Sequence, residues 1–288
     1  MNGPLPRIPG YDVIRPLGGG LLTCVYEAHE CQTDTGCALK VLREGWQDPA
    51  TAIKLLQREA RAGLSVRHPH LVRFRSVHVT RAPYFLVMDL LPGESLRNRL
   101  RRDYRLEMPT ALWIVRQTAE ALLALHRAGF AHGDVKPDNI RLVNDGTAVL
   151  IDLGFAHRPG ENALLRQQGY VLGTVNYLAP ELCGLAAEGD DLPDSETTSD
   201  VFSLGVTFFE MLTGQLPYPT GSIGQTFRRH SADPPLDIRR LVRPLPSALA
   251  NLIDRLLERW PAKRPRLSAV IQQLIALEIA NLGRRKSA

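Results

Sequence analysis

Lysine is scarce in this chain. Five of its 35 basic residues are lysines, Lys40, Lys54, Lys136, Lys263 and Lys286, and arginine supplies the rest. A guanidinium fork and an ammonium are not interchangeable, so a lysine kept in such a background marks a place for a compact point charge. Other absences narrow the classes. The four cysteines, Cys24, Cys31, Cys37 and Cys183, form no C-x-x-C pair, and no histidine pair completes a zinc pattern. Cys31 and Cys37 flank "QTDTG", a hairpin turn that would set them across two strands, but free thiols in a reducing compartment are expected. The start, "MNGPLPRIPG", has neither the charged lead nor the apolar run of a signal peptide. No apolar run reaches the ~18 residues that a membrane crossing needs. A soluble, cytoplasmic protein with no membrane span is therefore expected. No lysine/arginine stripe with interleaved aromatics occurs, and the net charge of +5 is mild, which argues against nucleic acid as a partner. Repeats and low-complexity segments are also missing.

What is present divides into two characters. The 288 residues, 44% hydrophobic, suffice for one or two cores. "YDVIRPLG", "CVYEAHE", "CALKVLR", "LVRFRSVHV" and "YFLVMDL" read as strands joined by short links, hence antiparallel. A helical pattern, "DPATAIKLLQREARAGLSVR", interrupts them, with a proline near its start. After "LPGES" helices take over. "ALWIVRQTAEALLALHRAG" carries apolar residues at helical spacing and stops at Gly129. "TSDVFSLGVTFFEMLTG" is apolar nearly all round and should be a buried central helix. "SALANLIDRLLERW" and "LSAVIQQLIALEIANLG" close the chain as helices. The spacing predicts an α+β protein, a small β-rich lobe joined near residues 89–94 to a larger helical one.

The chemistry sits in four short stretches. In "LGGGLLTCVYEAHE", 17–30, a glycine run separates two strands, and "CALKVL", 37–42, follows. Glycines at 18 and 20 let backbone N–H groups approach phosphate oxygens that a β-carbon would hold off. "HGDVKPDN" puts Asp134, Lys136 and Asn139 in one loop, and "LIDLGFA" adds Asp152. Phosphoryl transfer asks for positioning and charge neutralisation, which a carboxylate, an ammonium and hard oxygen ligands supply. In this order and spacing the set resembles the eukaryotic-like (Hanks-type) serine/threonine protein kinases of bacteria, over about residues 11–280.

The resemblance implies a bilobal α+β kinase fold, with a lead at 1–10, a kinase domain at 11–282 and a basic tail at 283–288. The domain divides into an N-lobe at 11–88, a hinge at 89–94 and a C-lobe at 95–282. It implies that Lys40, paired with Glu59 of "LLQREARAG", points at the α- and β-phosphates of ATP. Asp134 would take the proton of the acceptor hydroxyl, and Lys136 would neutralise the moving phosphoryl group. Asn139 and Asp152 would hold Mg2+, with Mn2+ as the alternative cation. Leu17, Gly18, Gly19 and Gly20 would cover the nucleotide. Val25, Ala38, Met88 and the hinge from Asp89 to Leu91 would enclose the adenine, with Arg141 beneath it. Thr174, in "GTVNYLAPE", would bridge toward Asp134 and Lys136 where a peptide is received. Glu181 would pair with the distant Arg264, and Asp200 would prop the catalytic loop. Partners would be proteins with serine or threonine acceptors, and the chain a monomer or weak homodimer. "HGD" with Asn139 and Asp152 also resembles aminoglycoside and choline phosphotransferases; "GTVNYLAPE", Asp200, Arg264 and "LTGQLPY" decide for protein kinases.

Several positions depart from that pattern. Gly133 replaces an arginine that docks an activation-loop phosphate in many kinases. Residues 153–173 contain no serine or threonine, and Tyr170 bears their one hydroxyl. A phosphate needs a residue to sit on and a cation to meet, so activity independent of loop phosphorylation is expected. Thr23 stands in place of a third glycine, Leu153 in place of a phenylalanine. Gly63, one turn after Glu59, would leave its helix loosely seated, to be steadied by a partner. Arg141 either stacks on the base or turns to solvent. "EGDDLPDSE", 188–196, is a solvated acidic loop or a weak preference for basic substrates. A nucleotide-binding scaffold without activity shares this fold, but Lys40, Glu59, Asp134, Asn139 and Asp152 are all retained.

Overall fold

The computed structural model describes residues 4–45, 48–183 and 196–285. Its first part is a sheet of β1 (Tyr11–Gly19), β2 (Thr23–Glu30), β3 (Thr35–Leu42), β4 (Phe74–His78) and β5 (Phe85–Asp89), antiparallel throughout in the order β1-β2-β3-β5-β4. Alternation along β3 decides what faces the cleft. Ala38 and Lys40 turn toward α1 (Pro49–Ser65), where Leu56 and Ala60 pack. Cys37, Leu39 and Val41 turn the other way, into a small core with Ile8, Ala28, Phe85 and Val87. The register Val25↔Lys40 and Ala38↔Met88 sets Val25, Ala38 and Met88 against the core on the α1 side. All four cysteines are free thiols; Cys37 is buried opposite Ala28 and Cys31 is exposed.

Helix α1 starts at Pro49, where the missing N–H costs nothing, and the Asp48 carboxylate accepts from Thr51 N at 3.1 Å. Gly63 does not loosen it. A β-carbon there would lie 2.3 Å from the ring of Phe74, which is buried. The bulk that seats the helix comes from β4, and the gap that would ask for a partner does not exist.

The second part is helical. β6 (Glu94–Ser95) leads into α2 (Leu96–Asp103) and α3 (Met108–Arg127), and β7 (Ile140–Leu142) and β8 (Ala148–Leu150) join β6 in a small sheet. There follow α4 (Ala163–Gln167), α5 (Pro180–Cys183), α6 (Glu196–Thr213), α7 (Ile223–Ala232), α8 (Ile238–Leu241), α9 (Ser247–Leu256) and α10 (Leu267–Arg285). α6 is the buried centre: Phe202, Leu204, Val206, Phe208, Phe209 and Met211 are almost wholly covered. The two parts are stitched beside the site. Val72 N donates to Leu150 O, and Leu150 N to His70 O, each at 2.9 Å.

Gly63→Ala is expected to destabilise by about 1–2 kcal/mol, because overpacking of roughly 1–3 kcal/mol outweighs a helix-propensity gain of ~1 kcal/mol. Urea unfolding measures this, and Phe74→Leu in the same chain should shrink the penalty.

Candidate active site

Lys40 is the meeting point of the first half of the site. Its ammonium lies 2.7 Å from Glu59 Oε1 and 2.6 Å from Asp152 Oδ1. The Lys40 and Glu59 side chains are 7% and 2% exposed, so water screens little of this. Burial pushes Lys40 down, but Asp152 and Glu59 outweigh it and hold the ammonium above its ordinary range. The two carboxylates divide. Burial would raise Asp152, yet Lys40 and the Gly154 N–H hold it down at about 2. Glu59 carries the burial cost and is pushed up to about 7, with Asp152's charge adding to burial and Lys40 opposing both. Asp152 has φ of +64°, a conformation most non-glycine residues avoid, and these two contacts fix it there. Leu153 is fully buried as an apolar plug behind it.

The second half is the loop 131–139. Asp134 is buried; its Oδ2 pairs with Lys136 Nζ at 2.7 Å and accepts from Asn139 Nδ2 at 3.0 Å. Asn139 Nδ2 also donates to Asp134 O, at 2.8 Å, which leaves its Oδ1 as the oxygen to offer. Lys136 Nζ reaches Thr174 Oγ1 at 2.5 Å. Ile151 N donates to Asn139 O at 2.8 Å, placing Asp152 next to that amide in the chain's fold. Asp200 holds the loop from below, accepting from His132 N at 2.8 Å and Gly133 N at 2.9 Å, with His126 Nε2 at 2.8 Å. Burial would raise Asp200, but the His126 contact outweighs it and holds the carboxyl low.

The departures now have geometry. Gly133 has φ of +79°, and a β-carbon there would lie 2.8 Å from Phe155 O, so no side chain fits without strain. Arg141 neither waits for a base nor turns to solvent. Its Nε donates to Leu91 O at 3.1 Å and its Nη2 to Gly93 O at 2.6 Å, clasping the hinge. Burial, with Arg15 nearby, holds its pKa below the ordinary value. Thr23 opens β2, and its carbonyl accepts the Gly20 N–H at 3.0 Å. Leu17 is exposed, and β-carbons at Gly18 and Gly20 would meet nothing within 4 Å, so the chain's own packing does not demand those glycines; Gly19 would strike Thr23 O at 2.8 Å.

A nucleotide and a divalent cation fit these residues. Asp152 keeps its charge beside the Lys40 ammonium, while Glu59 holds its proton up to about 7, so the charged carboxylate is the one on the cleft side. The donors Asn139 and Asp152 are hard oxygens, and Asp152 remains 41% exposed toward the cleft. Asp134 Oδ1 is buried with no hydrogen-bond partner among the described residues.

Sequence reasoning missed a second tier. Arg97 of α2 donates to Asp138 Oδ2 at 3.0 Å, to Glu210 Oε1 at 2.6 Å and to the Tyr177 hydroxyl. Tyr177 donates to Glu210 Oε2 at 2.6 Å. Thus the residue before Asn139 and the turn after Thr174 are fastened to one arginine. In "LRNRLRRD" it looks like one more solvated cation; Glu210, the one charged residue in the largely apolar "VFSLGVTFFEMLT", was the available signal. The acidic stretch 188–196 lies outside the described residues, apart from the backbone of its last residue at the start of α6.

Glu181 and Arg264 form a bidentate pair at 2.6 and 2.7 Å, with Arg264 fully buried. Glu181→Ala alone should cost ~3–5 kcal/mol by stranding the guanidinium; urea unfolding reads this, and Arg264→Met added to it should recover part. Glu59 makes a pH-dependent prediction. In the fold it keeps its proton up to about 7, against ~4.3 in the unfolded chain. Between those values the native state binds more protons, so Glu59's contribution to stability falls as pH rises through that window. Unfolding free energies measured from pH 5 to pH 8 should show that decline, and Glu59→Gln should lack it.

Comparison with known proteins agrees with this arrangement. A family model described as "Protein kinase domain" matches residues 11–275. Serine/threonine-protein kinase PknD of Mycobacterium tuberculosis is 34% identical over 256 residues, which is 88% of this chain and 37% of the relative. Serine/threonine-protein kinase PrkC of Bacillus subtilis is 29% identical over 261 residues, 90% of this chain and 39% of the relative. Serine/threonine-protein kinase PknA of M. tuberculosis is 31% identical over 280 residues, 96% and 62%. The chain thus spans less than two thirds of the length of each of these relatives. The family match runs from β1 into α10, across both halves of the site, and the chain belongs to the protein kinase domain family.

Proposed function

We propose that this chain transfers the γ-phosphoryl group of ATP, with Mg2+ or Mn2+, to serine or threonine hydroxyls of proteins. On this reading it acts in the cytoplasm, and no phosphate on residues 153–173 is required. One observation carries it: Asp134 is held by Lys136 and Asn139 through one oxygen, while Oδ1 is buried and has no partner among the described residues. Such an oxygen costs free energy in the resting fold, and an entering hydroxyl would satisfy it.

Asp134 Oδ1 then accepts the proton as the acceptor oxygen bonds to the γ-phosphorus and the bond from that phosphorus to the ADP oxygen breaks. Lys136 stands between Asp134 and Thr174, where it neutralises charge on the transferring group. Lys40, aimed by Glu59, would hold the α- and β-phosphates, with backbone N–H groups of Gly18 to Gly20 as further donors. A divalent cation held by Asn139 and Asp152 would neutralise the β- and γ-phosphate oxygens. Val25, Ala38 and Met88 would enclose the base against the hinge, Asp89 to Leu91, to which Arg141 donates. The serine/threonine acceptor class is supported by the names of the relatives and by the Lys136–Thr174 contact. Independence from loop phosphorylation is supported by the missing hydroxyls and by the backbone at Gly133, which leaves no room for an arginine.

Purified protein with radiolabelled ATP, Mg2+ and a generic protein acceptor should transfer label to serine or threonine. Asp134→Asn should lower the rate by about 10²-fold or more. Nucleotide binding without any transfer would instead identify a scaffold, and transfer only to an aminoglycoside or choline would identify a small-molecule phosphotransferase. Mapping phosphosites on the active protein tests the remaining clause, which an essential phosphate within residues 153–173 would overturn.

A further inference from the structure

The pairing of Lys40 with Glu59 exists only while α1 is docked, so whatever holds α1 also sets the aim of Lys40. Leu56 and Ala60 bury its inner side. On either side of Glu59 stand Arg58 and Arg61, three residues apart and so neighbours on the helix surface. Both reach across to residues 161 and 162, between Asp152 and α4. Arg61 Nη2 donates to Glu161 Oε1 at 2.5 Å. Arg58 donates to Glu161 O at 3.0 Å and to Asn162 Oδ1 at 3.2 Å. The second Glu161 oxygen accepts from Arg158 N at 2.9 Å, which fixes the carboxylate from its own side. Asn162 is buried although polar. Arg61 and Arg158 also lie over the ring of buried Phe130, at 5.8 and 5.2 Å from its centroid, two residues before His132 of the catalytic loop. The Glu161 carboxylate therefore joins the helix to residues 158–162, and the Arg61 and Arg158 guanidiniums extend the junction to Phe130.

Arg61 on the Glu161 carboxylate, with Arg58 close enough for its charge to act on it too, resembles the set of arginines that a phosphate would gather. It stands in a segment with no serine or threonine to carry one, beside a loop whose Gly133 admits no arginine to receive one.

We propose that Glu161 is a positioning residue for phosphoryl transfer: with Asn162 it supplies a permanent anionic anchor for Arg58 and Arg61, keeping α1 docked and Lys40 paired with Glu59 without covalent modification. The inference rests on the reading of the site as a working phosphotransferase, and it names what replaces the phosphate. Glu161 touches neither nucleotide nor acceptor; it acts through α1.

The test uses the full chain and two readouts, steady-state transfer from ATP and amide hydrogen exchange of residues 49–65. Glu161→Gln and Arg58→Ala should each raise the KM for ATP and lower kcat/KM by on the order of tenfold, as misplacement of a reacting group does. The KM for the protein acceptor and the thermal midpoint should stay near wild type, and exchange in α1 should quicken. The reversed pair, Arg61→Glu with Glu161→Arg, should recover most of the loss that either change causes alone. Wild-type kinetics together with wild-type exchange in Glu161→Gln and Arg58→Ala would overturn the proposal, as would loss with no recovery in the reversed pair. Should the wild-type chain transfer no phosphate at all, the activity reading fails by itself. α1 exchange still decides the anchor: quickened in the variants, it stands; unchanged, it falls.

Discussion

The Lys40 ammonium is claimed from two sides, by Glu59 at 2.7 Å and Asp152 at 2.6 Å, and the cleft is arranged around that sharing. Three separate parts of the chain deliver these groups: β3, α1 and the turn after β8. Lys40 keeps both partners only while all three are in place. A one-residue slip of β3 would turn Lys40 into the small outer core with Leu39 and Val41, and would bury an ammonium without a partner. The carboxylates are unequal because one is covered and the other faces the cleft. Glu59, 2% exposed, is pushed toward its neutral form, whereas Asp152 keeps its charge at any ordinary pH. A charged carboxylate is thereby held beside the ammonium, where a cation and phosphates would arrive, and the strained φ of Asp152 is the local cost of holding it.

Most of the fold was legible because it follows from periodicity. The short apolar run "CALKVLR" between turn signals read as the strand that became β3, and the all-round apolarity of "TSDVFSLGVTFFEMLTG" marked α6 as the centre. What the spacing also offered was the grouping that the geometry shows, Lys40 with Glu59 and Asp152, and Asp134 with Lys136 and Asn139. What escaped were partners chosen through space. Gly63 looked like a missing side chain until Phe74 proved to occupy its place from a neighbouring strand. Arg141 looked like a base-stacking group, but two hinge carbonyls about fifty residues earlier take its donors. Arg97 sat in a run of arginines where nothing local separates a structural cation from a solvated one. Sequence spacing reports which residues share a helix face; it does not report which distant oxygen needs a donor.

The half of the site carried by the helical part is braced in depth, and the bracing comes from one stripe of α6. Ser199 donates to Glu181 at 2.9 Å, Asp200 takes two catalytic-loop N–H groups, Ser203 donates to Tyr177 O at 2.7 Å, and Glu210 takes Arg97 and Tyr177. Their spacing along the helix puts them on one side, and the rest of α6 is sunk in apolar core. Buried polar groups that are fully partnered specify a single arrangement, so the loop that carries Asp134, Lys136 and Asn139 has little freedom to be elsewhere.

The other half has no such support. α1 rests on a few apolar side chains, on Lys40 itself, and on Arg58 and Arg61 reaching to residues 161 and 162 across a partly exposed gap. A charge pair 41% and 23% exposed is screened, and its coupling is weaker than that of the covered groups around α6. Local opening takes place where free energy is least, so α1 is the element whose position is open to adjustment while the catalytic loop is not. On the proposed reading, with no serine or threonine among residues 153–173, control of phosphoryl transfer would fall on that thin polar contact, and on anything that strengthens or competes for it.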